Sequence, residues 1–248
     1  MNRLRRMAAM ILTAGAIGCA GEGKVGEFRK QSFTFGSEDR KYCVYTPEGY
    51  DPQKRYPTVL FLHGLFEGGN SGTGATKVGI GPAIRDKPER FKNAIVVFAQ
   101  TSGSWRDDDQ LPLAIATLDD AQKNFAIDRS RVTLTGLSTG GAAVWKLGGR
   151  YPGRFAALMP LCAFSSEDDV PALTRYPIWA FHNRFDPFVG VWNTSGMCEK
   201  INTKGGHARH TVYGAFGHDC WDRAYGDKDV VAWMLGQAKV EGPAFQAR

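Results

Sequence analysis

The chain has 248 residues, enough for one sizeable core rather than two. Hydrophobic residues make up 43% and charged residues 23%, which excludes an intrinsically disordered chain. The formal net charge is +6, but without Arg3, Arg5 and Arg6 of the leader 28 basic residues face 25 acidic ones; no basic run with interleaved aromatics remains, which excludes a nucleic-acid surface.

Residues 1–6 form a basic n-region and 7–17 a short apolar h-region, too short to span a bilayer and built like an export signal. Ala16-Ile17-Gly18-Cys19 leaves two processing routes open. Small residues at Ala16 and Gly18 suit an ordinary signal peptidase, whereas the same four residues resemble a lipoprotein box in which Cys19 is lipidated. Membrane attachment is therefore expected only through a Cys19 lipid. The expected division is a signal peptide over 1–18, a tether over 19–30 and one catalytic domain over 31–248.

In chain order, residues 31–36 and 41–46 alternate like paired strands around a turn at 37–40. Residues 57–62 are a nearly continuous apolar run, as expected of a central strand covered on both faces. The run ends in a glycine-rich loop beginning His63-Gly64-Leu65-Phe66-Glu67. A short helix is expected over 79–84, a buried strand over 93–99 and a helix over 111–125. Strand 131–135 leads into Gly136-Leu137-Ser138-Thr139-Gly140 and a further helix. Strands at 155–161, 177–181 and 208–213 and helices at 197–204 and 229–238 complete the pattern. Two leading strands followed by alternating strands and helices predict an α/β fold: a mostly parallel sheet of about eight strands, with helices on both faces and chemistry at the strands' carboxyl ends.

Strand, G-x-S-x-G, helix is the context of a nucleophile elbow, which makes Ser138 the candidate nucleophile. Its glycines allow a tight turn and close strand–helix packing. A serine needs a base, and the base an orienting acid, in the chain order Ser, Asp or Glu, His. His218 lies in a loop just past the last strand, whereas His207 and His210 lie before or inside that strand; His218 is the expected base. Asp186 follows the strand ending at Phe181, and Pro187 stiffens its loop; it is the expected acid. Asp168 and Asp169 read as a solvated face. The oxyanion donors are expected to be the backbone N–H groups of Thr139 and Leu65, with Phe66 the less suited alternative; loss of one such donor costs about 3 kcal/mol in the transition state. Trp105 is a candidate wall of the substrate cleft. His63 is a second candidate near substrate, though it reads more as a brace for its loop.

Asp107-Asp108-Asp109 lacks metal-ligand spacing and reads as solvated loop, so neither metal nor cofactor is expected; serine acyl transfer needs neither. Cys43, Cys162, Cys198 and Cys220 can be paired in three ways or remain buried thiols, and both readings stay open.

These motifs resemble those of the α/β-hydrolase esterases related to polyhydroxybutyrate depolymerases and feruloyl esterases, often labelled phospholipase/carboxylesterase or predicted peptidase. The resemblance runs from about Tyr42 to Trp233. It rests on Phe61-Leu62-His63-Gly64, the elbow with Gly141, Tyr151-Pro152, Trp179-Ala180-Phe181-His182, Asp186-Pro187 and Gly217-His218-Asp219-Cys220-Trp221. It implies the same triad, Ser138, Asp186 and His218. Thr139 stands where the family usually has methionine and Asn183 where it has glycine. The family's glycine-rich loop after the strand containing Cys162 is missing, and Leu65-Phe66 is bulkier than usual. The expected function is an exported serine esterase acting on a small ester, an esterified polysaccharide or a polyester. A serine peptidase and a silent binding domain are the alternatives, and oligomeric state stays open.

Overall fold

A computed structural model describes residues 26–165 and 169–239. The leader with Cys19 lies outside the described residues, as does Asp168.

Among the described residues eight strands form one sheet: β1 (Glu27–Phe35), β2 (Glu38–Thr46), β3 (Tyr56–Leu62), β4 (Ile95–Ala99), β5 (Ile127–Leu137), β6 (Ala157–Leu161), β7 (Pro177–Phe185) and β8 (His207–Phe216). Their spatial order is β1-β2-β4-β3-β5-β6-β7-β8. The pairs β1–β2 and β2–β4 are antiparallel and the rest parallel, so β2 alone of the eight runs against the others. The helices are α1 (Ile80–Asp86), α2 (Leu111–Asn124), α3 (Thr139–Arg150), α4 (Val170–Leu173), α5 (Trp192–Thr203), α6 (Cys220–Gly226) and α7 (Lys228–Gly236).

The apolar run of β3 is buried from end to end because both faces are covered. Leu60 and Leu62 join the core under α2, α3, α4 and α5, while Val59 and Phe61 join the core under α1, α6 and α7. Each such side chain removed from water contributes about 1.5–3 kcal/mol. Chain order reverses between β4, β3 and β5, so the loops after β3 and β5 leave the sheet as neighbours. That is the switch point at which an open parallel sheet forms its crevice.

The expected tether ends earlier than residue 30, because Glu27 to Lys30 already belong to β1 and pair with Thr46 to Cys43. Phe28 carries this extension, packing its ring 5.2 Å from Tyr45 and 5.8 Å from Phe98. α6 is a further departure: the loop expected to run through His218 to Trp221 turns helical at Cys220. α7 then starts where Asp227 caps it, accepting from Asp229 N at 2.8 Å and Val230 N at 3.4 Å. Among the described residues no helix is long and apolar enough to cross a membrane.

Candidate active site

β5 delivers Ser138 on a turn with φ 54° and ψ −115°, a left-handed backbone that non-glycine residues rarely adopt. Such a conformation costs about 1–3 kcal/mol and persists only where its surroundings enforce it. Ser138 N donates to Leu161 O on β6 at 3.0 Å, and Ser138 O accepts from Ala142 N in α3 at 3.0 Å. Gly140 is required because a Cβ there would stand 2.2 Å from Leu62 O. The result is a serine on the carboxyl edge of the sheet with the N-terminus of α3 beneath it. Thr139 is the first residue of α3, so its N–H belongs to the turn that finds no intrahelical acceptor.

β7 and β8 bring the other two expected residues together. His218 Nδ1 lies 2.5 Å from Asp186 Oδ2. Asp186 Oδ1 accepts from Phe188 N at 2.9 Å and Val189 N at 3.0 Å, which leaves its side chain wholly buried. Because a carboxylate accepts, Nδ1 is the protonated nitrogen and His218 presents Nε2 as a lone pair. Phe188 and Trp221 each set a ring edge-on at 5.6 Å from the imidazole, walling it on two sides. Asn183 donates Nδ2–H to Gly217 O at 3.0 Å and so fixes the residue before His218. Among the described residues no hydrogen bond joins Ser138 Oγ to His218. Such catalytic contacts commonly tighten only with substrate bound.

The loop after β3 lies against the elbow: a Cβ on Gly64 would sit 2.8 Å from Leu137 Cδ1 and 3.7 Å from Ser138 Cβ. Leu65 begins the short 3-10 turn Leu65–Glu67 directly after this contact. His63 does not face substrate. It is buried, donating Nδ1–H to Gly64 O at 2.5 Å and accepting Thr101 N–H on Nε2 at 3.2 Å. Burial lowers its pKa to about 4, so the ring is neutral. Trp105 likewise corrects its expected role, for it is 0% exposed, in the core with its ring 5.5 Å from His63. It supports the brace rather than the cleft, because it packs into the core beneath α2 with Leu111, Leu113 and Ala114. Gln100 is a brace the sequence reading missed: its amide donates to Glu67 O at 2.9 Å and accepts Gly72 N–H at 2.8 Å.

Cys43, Cys162, Cys198 and Cys220 are all free and buried, so the thiol reading holds. Cys162 has φ 40°; its thiol lies within hydrogen-bonding reach of Cys220, and burial pushes it well above the usual thiol range. Asp108 pairs with Lys146 Nζ and Arg150 Nη2, each at 2.8 Å, and these partners hold its carboxyl down to about 2. His207 and His210 sit exposed on β8, away from the constellation, and Asp169 lies at the start of α4. Among the described residues no group of three or more His, Cys, Asp or Glu side chains forms a possible metal site.

Six large apolar side chains are exposed among the described residues: Leu65, Phe66, Phe185, Phe188, Trp192 and Phe216. Leu65 and Phe66 follow β3, Phe185 ends β7, Phe188 follows it, Trp192 opens α5, and Phe216 ends β8 two residues before His218. Phe66 is the extreme at 94% exposure. The sequence reading missed this rim except for Leu65 and Phe66; aromatic residues within a few positions of Asp186 and His218 were its visible sign.

Fold and site geometry together define an α/β-hydrolase. The family described as "Putative esterase" matches residues 34–239, and the chain belongs to that family. Among solved structures, a thermostable esterase superposes with a TM-score of 0.76 at 26% identity, over 85% of this chain and 63% of its own. A ferulic acid esterase from Anaeromyces mucronatus in complex with ferulic acid gives 0.65 at 17%, over 88% and 94%. The Pyrococcus horikoshii acylaminoacyl peptidase gives 0.66 at 12%, over 91% and 44%. The last two show the shared fold. No curated protein sequence matches.

Proposed function

We propose that the protein is an exported serine esterase that hydrolyses carboxylic esters through an acyl-enzyme intermediate. The observation that carries this reading is the Asp186–His218 hydrogen bond at the same sheet edge as the strained Ser138 turn. His218 Nε2 takes the Ser138 proton as Oγ attacks the ester carbonyl, and Asp186 steadies the imidazolium. The oxyanion is received by the N–H groups of Thr139 and Leu65, the first at the head of α3 and the second on the loop packed against Ser138. His218 then protonates the departing alcohol, and water repeats the cycle on the acyl-enzyme.

The apolar rim and the membership of the esterase family support a substrate with an apolar acyl or aryl part, whether a small ester, an esterified polysaccharide or a polyester. Residues 1–18 are read as the export signal, with Cys19 either lipidated or simply the first residue after cleavage. Labelling cells with a radioactive fatty acid separates these: a Cys19→Ser chain that keeps the label rules out lipidation at that thiol.

The functional test is initial rates on acetyl, butyryl, octanoyl and feruloyl esters and on a peptide anilide. Ester turnover is expected to fall at least ~10⁴-fold in Ser138→Ala, His218→Ala and Asp186→Ala while circular dichroism stays unchanged. Anilide turnover matching ester turnover would instead make the protein a peptidase. Hydrolysis undiminished in folded Ser138→Ala would sink the mechanism, and no turnover at all would favour a binding domain.

A further inference from the structure

Asp186 is gripped by a second histidine that the triad does not use. His182, on β7 four residues before Asp186, is wholly buried, and its Nε2 approaches Asp186 Oδ2 at 3.3 Å, the same oxygen that meets His218. That nitrogen also lies 2.9 Å from Val189 O, while Nδ1 lies 2.7 Å from Thr194 Oγ1 in α5. A carbonyl only accepts, so Nε2 carries the hydrogen and Nδ1 takes the Thr194 hydroxyl proton. Burial lowers the pKa of the ring, in keeping with a neutral imidazole whose tautomer is set by its two neighbours.

The consequence follows from lone pairs. Val189 gives its N–H to Asp186 Oδ1 and its carbonyl to His182, so His182 closes a loop that fixes the whole carboxylate plane. Nε2–H is spent on Val189 O, its 3.3 Å approach to Oδ2 adds a favourable polar contact on that side, and Oδ2 accepts its hydrogen bond from His218 Nδ1. We infer that His182, with Thr194 behind it, is a positioning residue that aims Asp186 Oδ2 at His218 and thereby orients the base. This deepens the serine-esterase reading and rests on it.

The obvious variants are His182→Phe, which keeps a ring but has no donor, and His182→Gln, whose amide N–H reaches the former Nε2 position. Thr194→Val frees the tautomer without touching Asp186. Two readouts are taken on each: kcat and KM on a soluble ester, and the low-field proton resonance of the hydrogen-bonded His218 Nδ1–H. In His182→Phe we expect kcat to fall on the order of 10–100-fold with KM unchanged, since misaligned catalytic groups carry penalties of that size. The resonance should move upfield or broaden. His182→Gln should recover most of both, and Thr194→Val should fall between.

An unmoved resonance with full kcat in folded His182→Phe overturns the inference. So does His182→Gln behaving no better than His182→Phe. If His182→Phe fails to fold, Thr194→Val decides: a shifted resonance with kcat lowered and KM unchanged supports the inference, and an unmoved resonance with full kcat overturns it. The resonance does not depend on turnover. Its absence from the natural enzyme, or its survival in Asp186→Asn, would instead count against the triad itself.

Discussion

Thr101 N–H points at His63 Nε2 and His63 returns Nδ1–H to Gly64, so this imidazole is committed to the neutral form. In the unfolded chain it titrates near 6.5, whereas in the folded protein burial lowers it to about 4. The unfolded state therefore binds the proton first as pH falls. The stability that His63 contributes is complete above pH 6.5 and is lost on descending to about pH 4, a span corresponding to about 3 kcal/mol. Unfolding midpoints measured from pH 7 to 4 should fall in the natural protein and fall less steeply in His63→Gln; parallel curves would refute the assignment. Asn183 offers a second check at this scale. Asn183→Ala releases Gly217 O and should lower stability by about 1 kcal/mol and kcat several-fold, with KM steady. An unchanged kcat would show that Gly217 is held without it.

At the scale of elements, the loops after β3 and β7, the ends of β7 and β8 and the first residue of α5 hold the exposed apolar rim, and Phe188 ties that rim to the His218 imidazole. Removing Phe66 or Trp192, which support no core, should raise KM for octanoyl and feruloyl esters several-fold and leave acetyl ester kinetics unchanged. Equal effects on all three esters would mean these rings do not contact the acyl part. The same loops mark how far the sequence could be read. Central strands and the elbow were legible because β3's apolar run and the Gly136 and Gly140 spacing are local patterns. Asp186 and His218 could be named together because chain order on this fold leaves few eligible positions, and the structure sets them 2.5 Å apart. Trp105 was misplaced because nothing local says whether an aromatic after a strand folds inward, and here the ring of His63 received it. The role of His182 was hidden for a similar reason: its partners Val189 and Thr194 lie in the next loop and helix, and only packing brings them to one ring. α6 is too short and too rich in polar residues to show a helical period.

Across the whole molecule, direction matters more than contact. β1 is antiparallel to β2 and β2 antiparallel to β4, so β1 runs with the parallel strands and Glu27 enters at their amino ends. Ser138, Asp186 and His218 all follow carboxyl ends, on the opposite edge of the sheet. If Cys19 carries a lipid, the seven residues from there to Gly26 span at most about 25 Å. That is too short to wrap around to the far edge of strands whose own length is comparable. A protein attached in that way would present the rim, with Ser138, Asp186 and His218, away from the attachment. Coupling the leaderless protein to beads through an N-terminal tag should preserve hydrolysis of both soluble esters and ester particles. Coupling through an introduced cysteine, Phe66→Cys, should abolish work on particles because the rim then faces the bead, and the four buried thiols will not compete for the reagent. Equal loss from both attachments would mean that the amino end and the triad share a face, contrary to the strand directions.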